Sequence, residues 1–160
     1  MSRQSYTTTF TVDRTPQEVY AAAVDPRAWW SRTITGVTDR VGEDFVFEVE
    51  GIHYSKIRVV ELVPGERIVW RVLDARLTFI ADETEWNDTE IRFEITEHDG
   101  RTELRFTHVG LEPEVECYGA CSNAWTFYIG SSLRGLLADG VGAPNSQPDE
   151  VRLLEERAAS

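Results

Sequence analysis

The chain has 160 residues, 28 acidic and 16 basic side chains, and a formal net charge of −12. That balance excludes a nucleic-acid binder, whose affinity comes from Lys and Arg on phosphates, and disfavours an anionic membrane surface. With 41% hydrophobic and 11% aromatic residues, the composition excludes a disordered chain. A chain of this length can bury about 69% of its unfolded surface in one core.

Tyr6, Thr8, Phe10 and Val12 alternate and predict a first strand over 5–12. Thr15-Pro16-Gln17-Glu18 is a capping box with proline at the first helical position. It predicts a helix through about Val24. Asp25-Pro26 ends that helix and is expected to cap a second short one carrying Trp29 and Trp30.

From about Ile34 the period becomes two. Phe45, Phe47 and Val49 share one parity, as do His53, Ser55, Ile57 and Val59. Pro64-Gly65 suits a type II turn. A strand over 66–73 then places Ile68, Trp70 and Val72 on one side. The stretch 74–88 is less regular, with Leu77, Phe79 and Ile80 as a short strand before an acidic loop that carries Trp86. Ile91, Phe93 and Ile95 alternate cleanly with polar residues, as in a half-buried antiparallel strand. Asp99-Gly100 signals a hairpin, after which Leu104, Phe106 and His108 face inward.

Glu112-Pro113-Glu114 is expected to open the longest helix, running to about Asp139, with Gly140 as its C-cap. Stepping 100° per residue puts Tyr118, Cys121, Trp125, Ile129, Ser132 and Leu136 on one face, flanked by Cys117, Ser122, Tyr128 and Leu133. Cys117 and Cys121 at i, i+4 are too far apart for a disulfide and are expected as free thiols. The pattern is α+β: a helix-grip arrangement of about six to seven antiparallel strands around one long helix, often with a cavity between them. Residues 1–142 form the expected domain and 143–160 a tail, with a short helix at Asp149–Arg157 as one possibility.

The ordered motifs carry a family likeness. Thr15-Pro16-Gln17-Glu18-Val19-Tyr20 and Asp25-Pro26-Arg27-Ala28-Trp29-Trp30 resemble the start of a START-like (SRPBCC) domain. Glu85-Trp86, Thr89-Glu90-Ile91, Phe106-Thr107-His108-Val109-Gly110-Leu111, Glu116-Cys117-Tyr118 and Cys121-Ser122-Asn123-Ala124-Trp125, with Tyr128-Ile129, are similar to a bacterial single-domain branch of the activator-of-heat-shock-protein-90-ATPase homologues. The resemblance covers roughly residues 5–142 and implies the helix-grip fold. Members of the wider superfamily bind lipids, sterols, polyketides or plant hormones, and some catalyse cyclisation or hydrolysis. The family takes its name from a co-chaperone with an additional N-terminal domain, for which 160 residues are expected to leave no room.

No HExxH, CxxC, GxGxxG, P-loop or Gly-x-Ser-x-Gly occurs, so neither a metal nor a nucleotide cofactor is expected. Inward-facing His108 is either a general base or a hydrogen-bonded residue fixing the strand-to-helix corner. His53 is either in the cavity or, if a bulge at Gly51 reverses its face, in solvent. His98 beside the turn is expected in solvent. Cys121 reads first as a small buried hydrophobe. Small Cys121, Ser122 and Ser132 beside large Tyr118, Trp125 and Tyr128 either leave a pocket or are met by bulky sheet residues.

The leading expectation is a cavity for a small, largely apolar molecule. It is lined by Phe45, Phe47, His53, Ile57, Trp70, Phe93, Phe106, His108, Tyr118, Cys121, Trp125 and Tyr128. The second is a cyclase, dehydratase or hydrolase using His108 with Tyr118 or Tyr128. The third is a co-chaperone-like protein-binding module around exposed Trp86 and Phe127, which are also candidate homodimer contacts. One of Trp29 and Trp30 is expected in the core, the other at the cavity mouth or exposed. The N-terminus has no apolar signal segment and the longest apolar run is too short to span a bilayer, so the expected location is the cytoplasm.

Overall fold

The computed structural model describes residues 5–49, 53–78, 81, 84, 86–113 and 118–144. Strands β1 (Tyr6–Val12), β2 (Thr35–Gly36), β3 (Asp44–Val49), β4 (His53–Val63), β5 (Arg67–Leu77), β6 (Glu90–His98) and β7 (Arg101–Val109) build one sheet. Its order is β1-β7-β6-β5-β4-β3-β2, and every pair is antiparallel. The helices are α1 (Pro16–Ala23), α2 (Tyr118–Phe127) and α3 (Arg134–Asp139), with a wide π turn (Tyr128–Leu133) between the last two. This is the helix-grip α+β fold.

The N-terminal helix starts where the capping box places it. Glu18 N–H donates to Thr15 Oγ1 and Thr15 N–H donates back to Glu18 Oε1, each at 3.1 Å. After α1 a single 3-10 turn covers Pro26–Ala28, and the Asp25 side chain makes no capping bond. Trp29 and Trp30 follow that turn instead of riding on a helix. Both are buried, so the expectation that one of them sits at an opening is corrected. Trp29 Nε1–H reaches the Ala22 carbonyl at 3.2 Å, which draws its ring under α1.

Alternation sets the sheet faces. Phe45, Phe47, Val49, Ile57, Val59, Ile91, Phe93, Leu104 and Phe106 are buried, and their neighbours of opposite parity are exposed or half-buried. His53 and Ser55 are buried with Ile57, so His53 keeps its inward parity. The β4–β5 register shifts twice, between Lys56 and Ile57 and between Val59 and Glu61. At the Asp99-Gly100 turn both residues have positive φ, 51° and 80°, which is the type I′ geometry that matches strand twist.

Strand β5 is longer than expected. It runs to Leu77, with Ala75 and Leu77 fully buried, through the stretch that reads as irregular. Phe79 and Ile80 lie outside the described residues, as do Glu85, Glu114, Glu116, Cys117 and 145–160.

The long helix departs from a uniform 100° step. Glu112 and Pro113 are not helical, and the first described helical residue is Tyr118. At the π turn the Arg134 N–H reaches Ile129 O, five residues back. Such an insertion rotates everything after it by about one residue. Leu137 is therefore buried where Leu136 was expected, and Leu136 is half-buried. Ser132 and Leu133 both turn inward.

Candidate functional site

Strands β3 to β7 and helix α2 enclose an interior made mostly of aromatic rings. Trp30 stacks on Phe47 at 4.5 Å and meets Trp125 at 4.8 Å. Trp70 lies edge-on to Phe45 and Phe93 at 5.0 and 4.9 Å. Phe106 meets Phe93 at 5.2 Å and Trp125 at 4.7 Å. The rings of the sheet thus meet the large Trp125 of the helix face.

At one end of this interior two histidines flank an indole. The Trp86 ring lies edge-on to His53 and to His108, each at 4.7 Å, and stacks on Trp125 at 5.9 Å. Trp86 is 4% exposed, which corrects the reading of this side chain as exposed and removes it from the surface contacts. The acidic composition of the loop hid how its end is tied down. β5 pairs with β6 over Arg67–Arg71. Beyond that register the Ala75 N–H takes the Asn87 Oδ1 as acceptor, at 2.6 Å. Asp88, with φ 63°, turns the chain; Asp is among the few side chains that visit this region readily. Thr89 then closes the turn, its Oγ1–H donating to the Trp86 carbonyl at 2.6 Å. Short polar residues at 87–89 are the signal that composition alone obscured.

His108 has both ring nitrogens occupied. Trp125 Nε1–H donates to Nδ1 at 3.1 Å, and Nε2 lies 2.8 Å from Thr89 Oγ1. An indole nitrogen only donates, so Nδ1 must accept and the ring proton sits on Nε2. Nε2–H then donates to Thr89, whose own proton goes to the Trp86 carbonyl. The chain Trp125–His108–Thr89–Trp86 is satisfied in one direction only. It holds a neutral imidazole: burial, then the nearby His53, lowers the His108 pKa to about 3. His108 is thereby bound between β7, α2 and the Trp86 turn.

Gly110, next to this chain, has φ 104°, and a Cβ there would lie 2.8 Å from Thr89 Cγ2. Glycine at that point lets Thr89 approach His108.

His53 Nε2 lies 2.7 Å from Ser55 Oγ, and its ring lies edge-on to Phe47 at 4.9 Å. Cys121 is buried on α2. Tyr128 is buried, while Tyr118 is half-buried at the start of α2. Two polar atoms stand apart from all these pairings. The Trp70 and Trp86 Nε1–H groups are buried without a hydrogen-bond partner among the described residues. Sequence parity could not have found them, since it reports a side chain's face and not the partner of its nitrogen. No group of three or more His, Cys, Asp or Glu side chains that could hold a metal occurs among the described residues.

An antiparallel sheet gripping a C-terminal helix over an aromatic interior defines the START-like (SRPBCC) class of domains. Within that class, the family model described as activator of Hsp90 ATPase homolog 1-like protein matches residues 13–138, and the chain belongs to this family. No curated protein matches it. Among solved structures it is similar to the Aha1 dimer from Colwellia psychrerythraea, at 22% identity and TM-score 0.70 over 87% of this chain and 99% of that one. The protein SSP2350 from Staphylococcus saprophyticus is 17% identical, with TM-score 0.66 over 89% of this chain and 98% of that one. CalU16 from Micromonospora echinospora is 16% identical, with TM-score 0.62 over 96% and 82%. At these identities the likeness is one of fold. Among the described residues no helix is long and apolar enough to cross a membrane.

Proposed function

We propose that the protein binds a small, largely apolar molecule carrying one hydrogen-bond acceptor, between the inner face of the sheet and α2. The observation that carries this reading is the pair of buried, unpartnered indole N–H groups on Trp70 and Trp86. A buried donor without an acceptor costs about 1–3 kcal/mol, and a ligand carbonyl or carboxyl oxygen at Trp86 would recover it. Phe45, Phe47, Ile57, Phe93 and Phe106 supply the apolar wall, and His53, Tyr118, Cys121 and Tyr128 the rim on the sheet and helix sides. His108 serves this site by positioning Trp86 and Trp125 and not by taking a proton. That division of labour favours a carrier or sensor in the cytoplasm over an acid–base enzyme using His108 with Tyr118 or Tyr128.

Native mass spectrometry of the full chain from its own host tests the reading, together with titration of the intrinsic tryptophan fluorescence by decanoate and by 1-anilinonaphthalene-8-sulfonate. The expected result is a bound mass that is lost on denaturation, or saturable quenching that Trp86→Phe weakens about tenfold, the equivalent of one lost hydrogen bond. Protein that is free of adduct and unresponsive to both probes overturns the proposal. Phe127, 36% exposed on the outer side of α2, remains a candidate contact for a homodimer, which sedimentation of Phe127→Ser against the parent chain tests.

A further inference from the structure

A second site lies at the opposite end of the helical run, away from the aromatic interior. The end of β1, the link to α1, the start of β7 and α3 surround an open cleft of about 370 Å³. Its lining includes Arg14, Arg101 and Arg134, with Thr11 and Asp13. In a chain of net charge −12, three guanidiniums against one carboxylate make a local positive centre.

Each arginine is brought there by a different element. Arg14 follows β1 and is fixed: its Nε–H donates to the Leu137 carbonyl at 2.7 Å, and Thr102 Oγ1–H donates to its own carbonyl. It thereby satisfies an orphan acceptor in the last turn of α3 while keeping its charge in the cleft. Arg134 stands at the first position of α3, one helical turn before Ala138, which also lines the cleft. Arg101 opens β7 directly after the hairpin turn.

Four arginines on the outer sheet face are neutralised differently. Arg58, Arg67, Arg71 and Arg92 pair with Asp44, Glu61, Asp88 and Glu90. Neither the Arg101 nor the Arg134 guanidinium makes a hydrogen bond or ion pair with a described residue. Guanidinium stays charged at any physiological pH and offers planar, paired donors. Three of them held together repel one another until an anion enters.

We infer that this cleft binds a compact phosphate dianion, either inorganic phosphate or a small phosphomonoester. A phosphate group carries a charge near −2 at neutral pH and three strong acceptor oxygens. It matches the excess of three guanidiniums over Asp13 and can take paired N–H donors from Arg101 and Arg134, with the Thr11 hydroxyl as a further donor. A single carboxylate would leave part of that charge unmet. A phospholipid surface is disfavoured because the whole chain is strongly negative. The site is independent of the apolar interior.

The test is an NMR titration of the arginine Nε–Hε resonances of the full chain at constant ionic strength, set by chloride. The probes are inorganic phosphate, glycerol 3-phosphate and acetate. The expected result is saturable shifts with either phosphate probe at Arg14, Arg101 and Arg134, at least tenfold tighter than with acetate. The double substitution Arg101→Gln and Arg134→Gln should weaken phosphate binding at least tenfold while the amide spectrum keeps its folded dispersion. Arg14 is left in place because it holds α3. The tighter of the two phosphates distinguishes a free from an esterified ligand. Non-saturating shifts, equal responses to acetate, or an unaffected double variant each overturn the proposal.

Discussion

The two ends of the C-terminal helical run are held by different forces. At the far end, side chains grip backbone. Ser132 Oγ–H donates to the Trp29 carbonyl and accepts from the Ala143 N–H, both at 2.7 Å, and Arg14 takes the Leu137 carbonyl. At the near end, α2 rests on rings: Trp125 on Phe106, Trp86 and Trp30, with one hydrogen bond to His108 and another between Tyr6 and Thr126 hydroxyls at 2.6 Å. Directional bonds to backbone fix position sharply. Ring contacts are individually weak and tolerate several geometries. The far end is therefore an anchor, and the near end, beside the two indole donors without partners among the described residues, is the more adaptable of the two and the end that the proposed ligand would use.

Four measurements sharpen or break that contrast. Trp125→Ala removes the central ring of the near end and should destabilise by about 3–5 kcal/mol in urea unfolding. A loss below about 1 kcal/mol would mean that α2 is not held by its rings.

At the far end, Ser132→Ala strands the Trp29 carbonyl and the Ala143 N–H. It should cost about 1–3 kcal/mol and speed amide exchange in α3 while leaving α2 unchanged. Equal acceleration in both helices would show that the two ends are not independent.

Acidification addresses the near end. His108 stays neutral down to about pH 3 in the folded chain, whereas an unfolded histidine takes a proton near pH 6.5. Above 6.5 the residue is neutral in both states and there is no penalty. As pH falls below 6.5, the unfolded state binds a proton that the folded state excludes, so stability drops by about 1.4 kcal/mol per pH unit. Between pH 6.5 and 5 the parent chain should lose about 2 kcal/mol more than His108→Gln, which keeps a donor and an acceptor but does not titrate. Parallel curves would sink the neutral-imidazole assignment.

The smallest effect is expected from Tyr6→Phe, about 0.5–1.5 kcal/mol for one partly buried hydroxyl pair, read as a shift in the urea midpoint without a change in slope. A larger loss would mean that the near end depends on directional bonds after all.

Strand faces were legible in the sequence because side-chain direction in a strand follows from a covalent period of two, whatever surrounds it. Phe45, Phe93, Phe106 and His108 all fall where that period puts them. The capping box at Thr15 and the Asp99-Gly100 turn are equally local, satisfied within four residues. These local rules, with the order of motifs, determined the class of fold and most of the interior. Tertiary structure alone decided the rest. Trp86 is buried because Asn87 completes β5 after β6 has left it. The π turn moves Leu137 into the core, in register with Ser132 on the Trp29 carbonyl. His108 is kept neutral by burial, in a tautomer fixed by an indole seventeen residues away and a threonine on the neighbouring strand's approach. Each of these depends on which polar atom meets which across the fold, and periodicity carries a side chain's direction but not the identity of its partner.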